Sequence, residues 1–286
     1  MTSTASTSTA STNAASTKAT SANTAAANAT AFRELHDRPG EPLLLPNAWD
    51  HASAAALAAA GFPAIATTSL GVSAAAGLPD GTGGTRAEML RLARRFGHGR
   101  FLFTVDIENG YSDDPAEVAD LAAELAETGA VGVNLEDGRA DGGLTPPHVH
   151  AAKIAAIKAA VPLLFVNART DTHWQREPDT AETVSRLAAY RDAGADGVFV
   201  PGLTDPADIT AVVAAIPLPL NLLAPTGGPS LKALADLGVR RVSLGGLLFR
   251  IALGAAVDAA VALRTDGVLP AMPDVPGYAA IQALAE

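Results

Sequence analysis

Between residues 43 and 264, eight short apolar runs alternate with eight longer stretches of helical periodicity, and this alternation restricts the possible folds more than any other feature. The candidate strands are Leu43–Pro46, Ala64–Thr68, Phe101–Asp106, Gly132–Glu136, Leu163–Asn167, Gly197–Val200, Leu218–Leu222 and Arg241–Leu244. The candidate helices lie near Ala52–Ala60, Arg86–Phe96, Pro115–Thr128, Pro147–Ala160, Asp179–Ala193, Pro206–Ala215, Ser230–Leu237 and Leu247–Arg264. Start and stop chemistry supports them, as with Pro115 followed by Gly129 and Asp179 followed by Gly194. Eight β/α units predict an α/β protein of the (β/α)8 TIM-barrel class. A doubly wound sheet usually has fewer strands and a glycine fingerprint after the first, where this chain has Pro46-Asn47-Ala48-Trp49-Asp50.

The barrel is expected over residues 31–265. Residues 1–30 contain only Ala, Ser, Thr and Asn apart from Met1 and Lys18, which predicts a disordered, dispensable low-complexity tail. Residues 266–286 read as a C-terminal extension, a proline-broken stretch from Pro270 to Pro276 and then a short helix packing on a neighbouring subunit. With 48% hydrophobic residues the chain can bury a large core. The formal net charge of −10 argues against nucleic-acid and anionic-membrane partners. The lack of a signal sequence or an uninterrupted apolar span predicts a cytoplasmic location. There is no cysteine, so disulfides, Cys-ligated zinc and a thiolate nucleophile are excluded.

A barrel of this class does its chemistry at the C-terminal ends of its strands. Strand one ends in Asn47 and Asp50, and strand two runs into Thr67-Thr68-Ser69 and a loop ending Gly77-Leu78-Pro79-Asp80-Gly81. Strand three ends Asp106-Ile107-Glu108-Asn109-Gly110-Tyr111, strand four Asn134-Leu135-Glu136-Asp137 and strand five Asn167-Ala168-Arg169-Thr170-Asp171. Strands six to eight end without an ionisable side chain. Asp80, Asp106, Glu108, Glu136 and Asp137 would repel one another on one rim unless a cation sat among them. Oxygen ligands without sulfur suit Mg2+ or Mn2+. The plainer reading is that such acids cap helices, as expected of Asp113, Asp114 and Asp179. Asp106 and Glu108, two apart in an extended segment, should point together into the mouth. Arg169 is suited to grip a substrate carboxylate, the alternative being a salt bridge to Asp137 or Asp171.

In this order, Pro46-Asn47-Ala48-Trp49-Asp50, Thr67 to Ser73, Gly77 to Gly81, Asp106 to Tyr111, Asn134 to Asp137 and Asn167 to Asp171 resemble the isocitrate lyase/phosphoenolpyruvate mutase superfamily across residues 40–265. The resemblance implies a Mg2+-dependent lyase that breaks a C–C or P–C bond beside a 2-oxo acid, and a homodimer or homotetramer with C-terminal exchange. It places Asp106 as direct metal ligand and Asp80, Glu108 and Glu136 on metal-bound waters. It also makes Arg169 the carboxylate-binding arginine, with Thr68 and Ser69 supplying the amides that hold the enolate oxygen. Donors aimed at a developing enolate lower that barrier.

The chain departs from the family after strand four. Isocitrate and methylisocitrate lyases carry a Lys-Lys/Arg-Cys-Gly-His gating loop there, whereas this chain has the short Asp137-Gly138-Arg139-Ala140-Asp141-Gly142-Gly143-Leu144. Cysteine-dependent cleavage is disfavoured, and the longer loop with Lys and Asn or Thr of the mutase branch is missing too. The remaining acid–base candidates are Asp137, Arg139, Asp141, Tyr111 and a metal-bound water. Two other readings are open. Pro225 to Ser230 and Leu244 to Leu247 occupy the usual phosphate-binding position of such barrels, where their glycines could equally be turn residues. A non-catalytic small-molecule-binding barrel is the other. His148 and His150 face different ways on a helix, and His173 and Trp174 either line the mouth or sit on the surface.

Overall fold

The computed structural model describes residues 23–286 apart from residues 39, 98, 100, 175–178, 273 and 286. Nine strand segments form a single all-parallel sheet: β1 (Leu43–Leu45), β2 (Asn47–Ala48), β3 (Ala64–Thr67), β4 (Leu102–Asp106), β5 (Gly132–Glu136), β6 (Phe165–Arg169), β7 (Gly197–Phe199), β8 (Leu220–Leu223) and β9 (Arg241–Ser243). Segments β1 and β2 are one barrel strand broken at Pro46, which has no N–H to give to the ladder. The first half pairs with β9 and the second with β3, and this closes the eight-stranded barrel expected from the alternation.

Helix α1 spans residues 23–34. It is followed by α2 (His51–Ala59), α3 (Ser69–Ala75), α4 (Arg86–Phe96), α5 (Pro115–Glu127), α6 (Pro147–Ala160), α7 (Thr180–Asp192), α8 (Pro206–Ala215), α9 (Leu231–Asp236), α10 (Leu247–Asp266) and α11 (Tyr278–Ala283). The local chemistry is legible. Asp50 and Ser53 make a capping box on α2, prolines open α5, α6 and α8, and Gly129 and Gly194 take the left-handed conformation just past α5 and α7. Asp114 and Asp179 cap α5 and α7 as expected. Asp113 does not cap a helix; it pairs with Lys153 at 3.2 Å and Arg139 at 3.4 Å.

Two expectations are corrected. The loop expected after the second strand begins with the seven-residue helix α3, which starts at Ser69. The boundary at residue 30 falls inside α1, so residues 23–30 are not tail; residues 1–22 lie outside the described residues. Helix α1 closes the bottom of the barrel. Phe32 is fully buried against Leu43, Leu45, Ala64, Ala66 and Phe165, with its ring edge-on to Phe165 at 5.3 Å. Alanine-rich composition hid this, because a plug needs only one apolar turn, and that turn (Phe32, Leu35) lies beyond residue 30.

His36 ends this plug, stacked on Phe165 at 4.6 Å and donating from Nδ1 to the Phe32 carbonyl at 2.9 Å. Burial, with the Arg241 charge adding to it, lowers its pKa to about 3. The unfolded chain takes up this proton from about pH 6.5 downward and the folded chain does not. Stability from His36 is therefore full above pH 6.5 and is lost as pH falls toward 3. Urea unfolding at pH 7 and pH 5 is expected to show about 2 kcal/mol more loss in the wild type than in His36→Phe. Equal losses would remove His36 from the acid response.

Candidate active site

Inward-facing side chains arrange the barrel interior in layers. Above the apolar plug lies a polar layer containing Thr104, Asn134, Asn167, Asn221 and Arg241, all buried. Above it opens a cavity of about 460 Å3 at the C-terminal ends of the strands. One side of its wall carries Ser69, Asp80, Asp106, Asn134 and Arg169; the other is formed mainly by Trp174, Phe199, Pro201, Leu223, Leu244 and Leu247, with Arg250 at the α10 end.

Asp106 ends β4 beside Ser69. Its Oδ2 accepts the Ser69 amide at 3.2 Å, and its own amide donates to Thr67 Oγ1 at 2.8 Å. Burial pushes the Asp106 carboxyl above its usual range, with Arg169 and the Ser69 amide opposing and Asp80 reinforcing the shift. Arg169 ends β6 and is held from two sides. Its Nε and Nη2 donate to the two oxygens of Asp171 at 2.6 and 3.0 Å, and Nη1 lies 2.6 Å from Glu136 Oε2. Its guanidinium carbon sits 5.5 Å from the centre of the Phe199 ring. Burial disfavours its charge, but Glu136 and Asp171 outweigh that and raise its pKa. Glu136 is itself pushed well up by burial, against Arg169 and with the help of Asp171 and Asp106. Pairing with Asp171 thus orients Arg169 without removing it from the cavity wall.

Other candidates take different places. The chain turns left-handed at Glu108 (φ 49°) and Tyr111 (φ 59°), so the extended geometry ends at the strand and Glu108 does not point with Asp106 into the cavity. Its carboxylate is instead buried, accepting from the Thr85 hydroxyl and from the Gly83 amide at 3.1 Å. Burial raises its pKa, the Thr85 bond opposing. The Tyr111 hydroxyl lies 3.4 Å from Thr85 Oγ1, behind Glu108 and off the cavity wall. Asp80 is exposed on the rim. Among the described residues no three acids or histidines stand close enough to ligate one metal together. The expected convergence of four or five carboxylates is therefore looser than the sequence suggested.

Asp137 is the clearest correction. It is fully buried and faces the helix layer, accepting from Tyr190 at 2.6 Å, Thr170 at 2.8 Å and the Asp171 amide at 2.9 Å, with Arg186 at 3.3 Å. It braces the Arg169–Asp171 segment from behind and cannot serve as the acid–base group. Asp141 is also occupied, accepting the Gly143 amide at 2.9 Å within its own loop. Arg139 remains beside the acidic side of the mouth, 3.4 Å from Asp113. The amides proposed for an enolate are engaged here: Thr68 donates to Ala48 at 3.2 Å and Ser69 to Asp106.

Of the glycine-rich loops, Gly245 and Gly246 line the cavity, whereas Gly227 and Gly228 are exposed and Ser230 caps α9 through Ala233 at 3.2 Å. His150 is buried and His148 exposed; His173 is buried and Trp174 lines the cavity. Asn134 and Asn167 were missed as site residues, although each stands two positions before a rim residue, Glu136 and Arg169, and so shares its face of the strand.

A family model described as phosphoenolpyruvate phosphomutase matches residues 32–264. The uncharacterized protein Rv1998c of Mycobacterium tuberculosis H37Rv is 46% identical over 254 residues, 88% of this chain and 95% of that one. The 2-methylisocitrate lyase of Bacillus subtilis strain 168 is 35% identical over 201 residues, covering 67% and 65% of the two chains. A crystal structure of a Burkholderia cenocepacia J2315 protein superposes with a TM-score of 0.83 at 40% identity, covering 91% and 95%.

Proposed function

Because the chain belongs to the phosphoenolpyruvate mutase/isocitrate lyase superfamily, whose members are lyases and mutases of small carboxylates, we propose that it cleaves a C–C bond in a small 2-oxo or 2-hydroxy acid by way of an enolate. The observation that carries this reading is Arg169, pinned by Asp171 and Glu136 at the cavity wall opposite an apolar half. A planar guanidinium held on two edges is pre-positioned to receive a carboxylate at little entropic cost.

The side chains offer oxygen ligands of the kind that suit Mg2+ or Mn2+: Asp106 and Asp80 stand on the cavity wall and would hold such an ion, while Glu108 is turned to Thr85 and Gly83 and Glu136 is engaged by Arg169. Such an ion would neutralise charge developing on the substrate oxygen. The protein's own residues do the rest. Arg169 holds the carboxylate, Ser69 and Leu70 close the side next to Asp106, and Trp174, Phe199 and Leu223 exclude water from the bond that breaks. Glu136, its protonated form favoured by burial, faces the acidic side of the mouth beside Asp80 and Arg169 and would exchange a proton with the enolate carbon through an intervening water. A P–C reaction is the second reading. It is weaker because Arg169 and Arg250 are the only cationic side chains on the cavity wall among the described residues, and a phosphonate asks for more.

Turnover of oxaloacetate, isocitrate, methylisocitrate, dimethylmalate-type acids and phosphonopyruvate with Mg2+ tests the reading. Cleavage of one of the carbon acids is expected. If none reacts and Arg169→Ala leaves oxalate binding unchanged, the non-catalytic binding barrel replaces it.

The assembly is a further part of this proposal. No residue of α10 is buried over its 20 residues, and Ile251 and Val257 are 56% and 52% exposed. A second copy covering this apolar face would account for it. Light scattering is expected to give a dimer or tetramer mass, and monomer alone would reject it.

A further inference from the structure

Among the described residues Arg241 is the largest fully buried side chain, placed in the polar layer beneath the cavity, and it forms no ion pair with a carboxylate, Asp106 favouring its charge only from further away. Its Nη2 donates to Asn134 Oδ1 at 3.2 Å, while Nε and Nη1 have no protein partner. Burial pulls its pKa down to about 9, so the side chain stays cationic at neutral pH. A buried, unpaired guanidinium is costly, and an apolar residue of similar volume would be cheaper in a barrel core.

What it touches gives the charge a use. Asn134 Oδ1 also accepts from Asn167 Nδ2 at 2.8 Å. A guanidinium can only donate, so the atom facing Arg241 must be the amide oxygen and the Asn134 orientation is settled. That leaves the Asn134 NH2 without an acceptor among the described residues. The side chain is 95% buried by residue exposure (5% exposed) and lines the cavity floor, in register with Asp106 on one side and Asn167 on the other.

We propose that Asn134, oriented by Asn167 and Arg241, is a specificity-determining donor on the cavity floor that receives an anionic substrate oxygen while Arg169 holds the other end. Arg241 is its positioning residue and adds a fixed positive charge below it. The chemical class selected is a small dianion, a dicarboxylate or the enolate of a 2-oxo acid, rather than a neutral ligand. An amide polarised by a cation behind it donates more strongly than a free one.

This rests on the reading of the cavity as a carboxylate site, and the test separates the two. Oxalate is titrated calorimetrically, with MgCl2 present, into the full chain and into Arg169→Ala, Asn134→Leu, Arg241→Met and Arg241→Lys, with thermal melts alongside. Affinity is expected to fall at least tenfold in Asn134→Leu and Arg241→Met, with a smaller loss in Arg241→Lys, which keeps the charge. A purely structural Arg241 would lower the melting temperature of Arg241→Met and leave oxalate affinity alone. If Arg241→Met does not fold, Arg241→Lys and Asn134→Leu decide. Loss of binding in Arg169→Ala with wild-type affinity in the Asn134 and Arg241 variants overturns the floor site only. No oxalate binding by the wild type, or no effect of Arg169→Ala, overturns the carboxylate site and the floor site together.

Discussion

Arg169→Ala is expected to weaken binding of a carboxylate ligand such as oxalate by about 2–5 kcal/mol and to destabilise the fold as well. The stability effect follows from its partners. Glu136 and Asp171 lie 2.6 Å from the guanidinium, and all three side chains are mostly buried. Removing the cation leaves two carboxylates facing each other without a counter-ion, a change that costs about 3–5 kcal/mol in buried pairs. Arg169→Lys restores the charge but not the planar fork that spans both oxygens of Asp171, so it should recover part of the stability and less of the binding. Urea unfolding and calorimetric titration measure the two effects separately. Wild-type values for both in Arg169→Ala would remove this residue from the site.

For Asp106→Ala the two readouts should move in opposite directions. Mg2+ binding is expected to be lost, and turnover to fall by about a thousandfold or more, since this is the buried carboxylate on the cavity wall and charge stabilisation dominates enolate chemistry. Stability without metal should hold or rise. Burial raises the pKa of Asp106, so its charged form opposes folding at neutral pH; the opposition builds as pH rises above the ordinary aspartate pKa and is complete once pH passes the raised folded-state pKa. The variant also frees the Ser69 amide. Equal Mg2+ affinity in the two proteins would count against Asp106 as the ligand.

How much of this could be read in the chain depends on the range of the interaction. Periodicity and capping are local, so the eight β/α units, Asp114 and Asp179 as caps, and the prolines at helix starts were legible residue by residue, whereas Asp113, expected as a cap, pairs with Lys153 and Arg139. The rim positions of Asp106, Glu136 and Arg169 followed from the fold class, because a residue at a strand's C-terminal end has only one end of a barrel to occupy. The i, i+2 argument held within strands and failed one step beyond, at Glu108, where a left-handed backbone turned the carboxylate toward Thr85 and Gly83.

What only the tertiary structure decided is which polar side chains meet. Asp137 and Glu136 are adjacent in the chain at the end of β5 and meet different partners, one a brace of Tyr190, Thr170 and Arg186, the other Arg169. Arg241 and Asn134 are 107 positions apart and meet because the barrel closes. The alternation of apolar and amphipathic segments by itself determined that the sheet would be parallel and eight-stranded, since hydrophobic burial is set by local pattern. Hydrogen bonds and ion pairs across the barrel are directional and short-ranged. Their partners are chosen by closure and register, which no local stretch of the chain encodes.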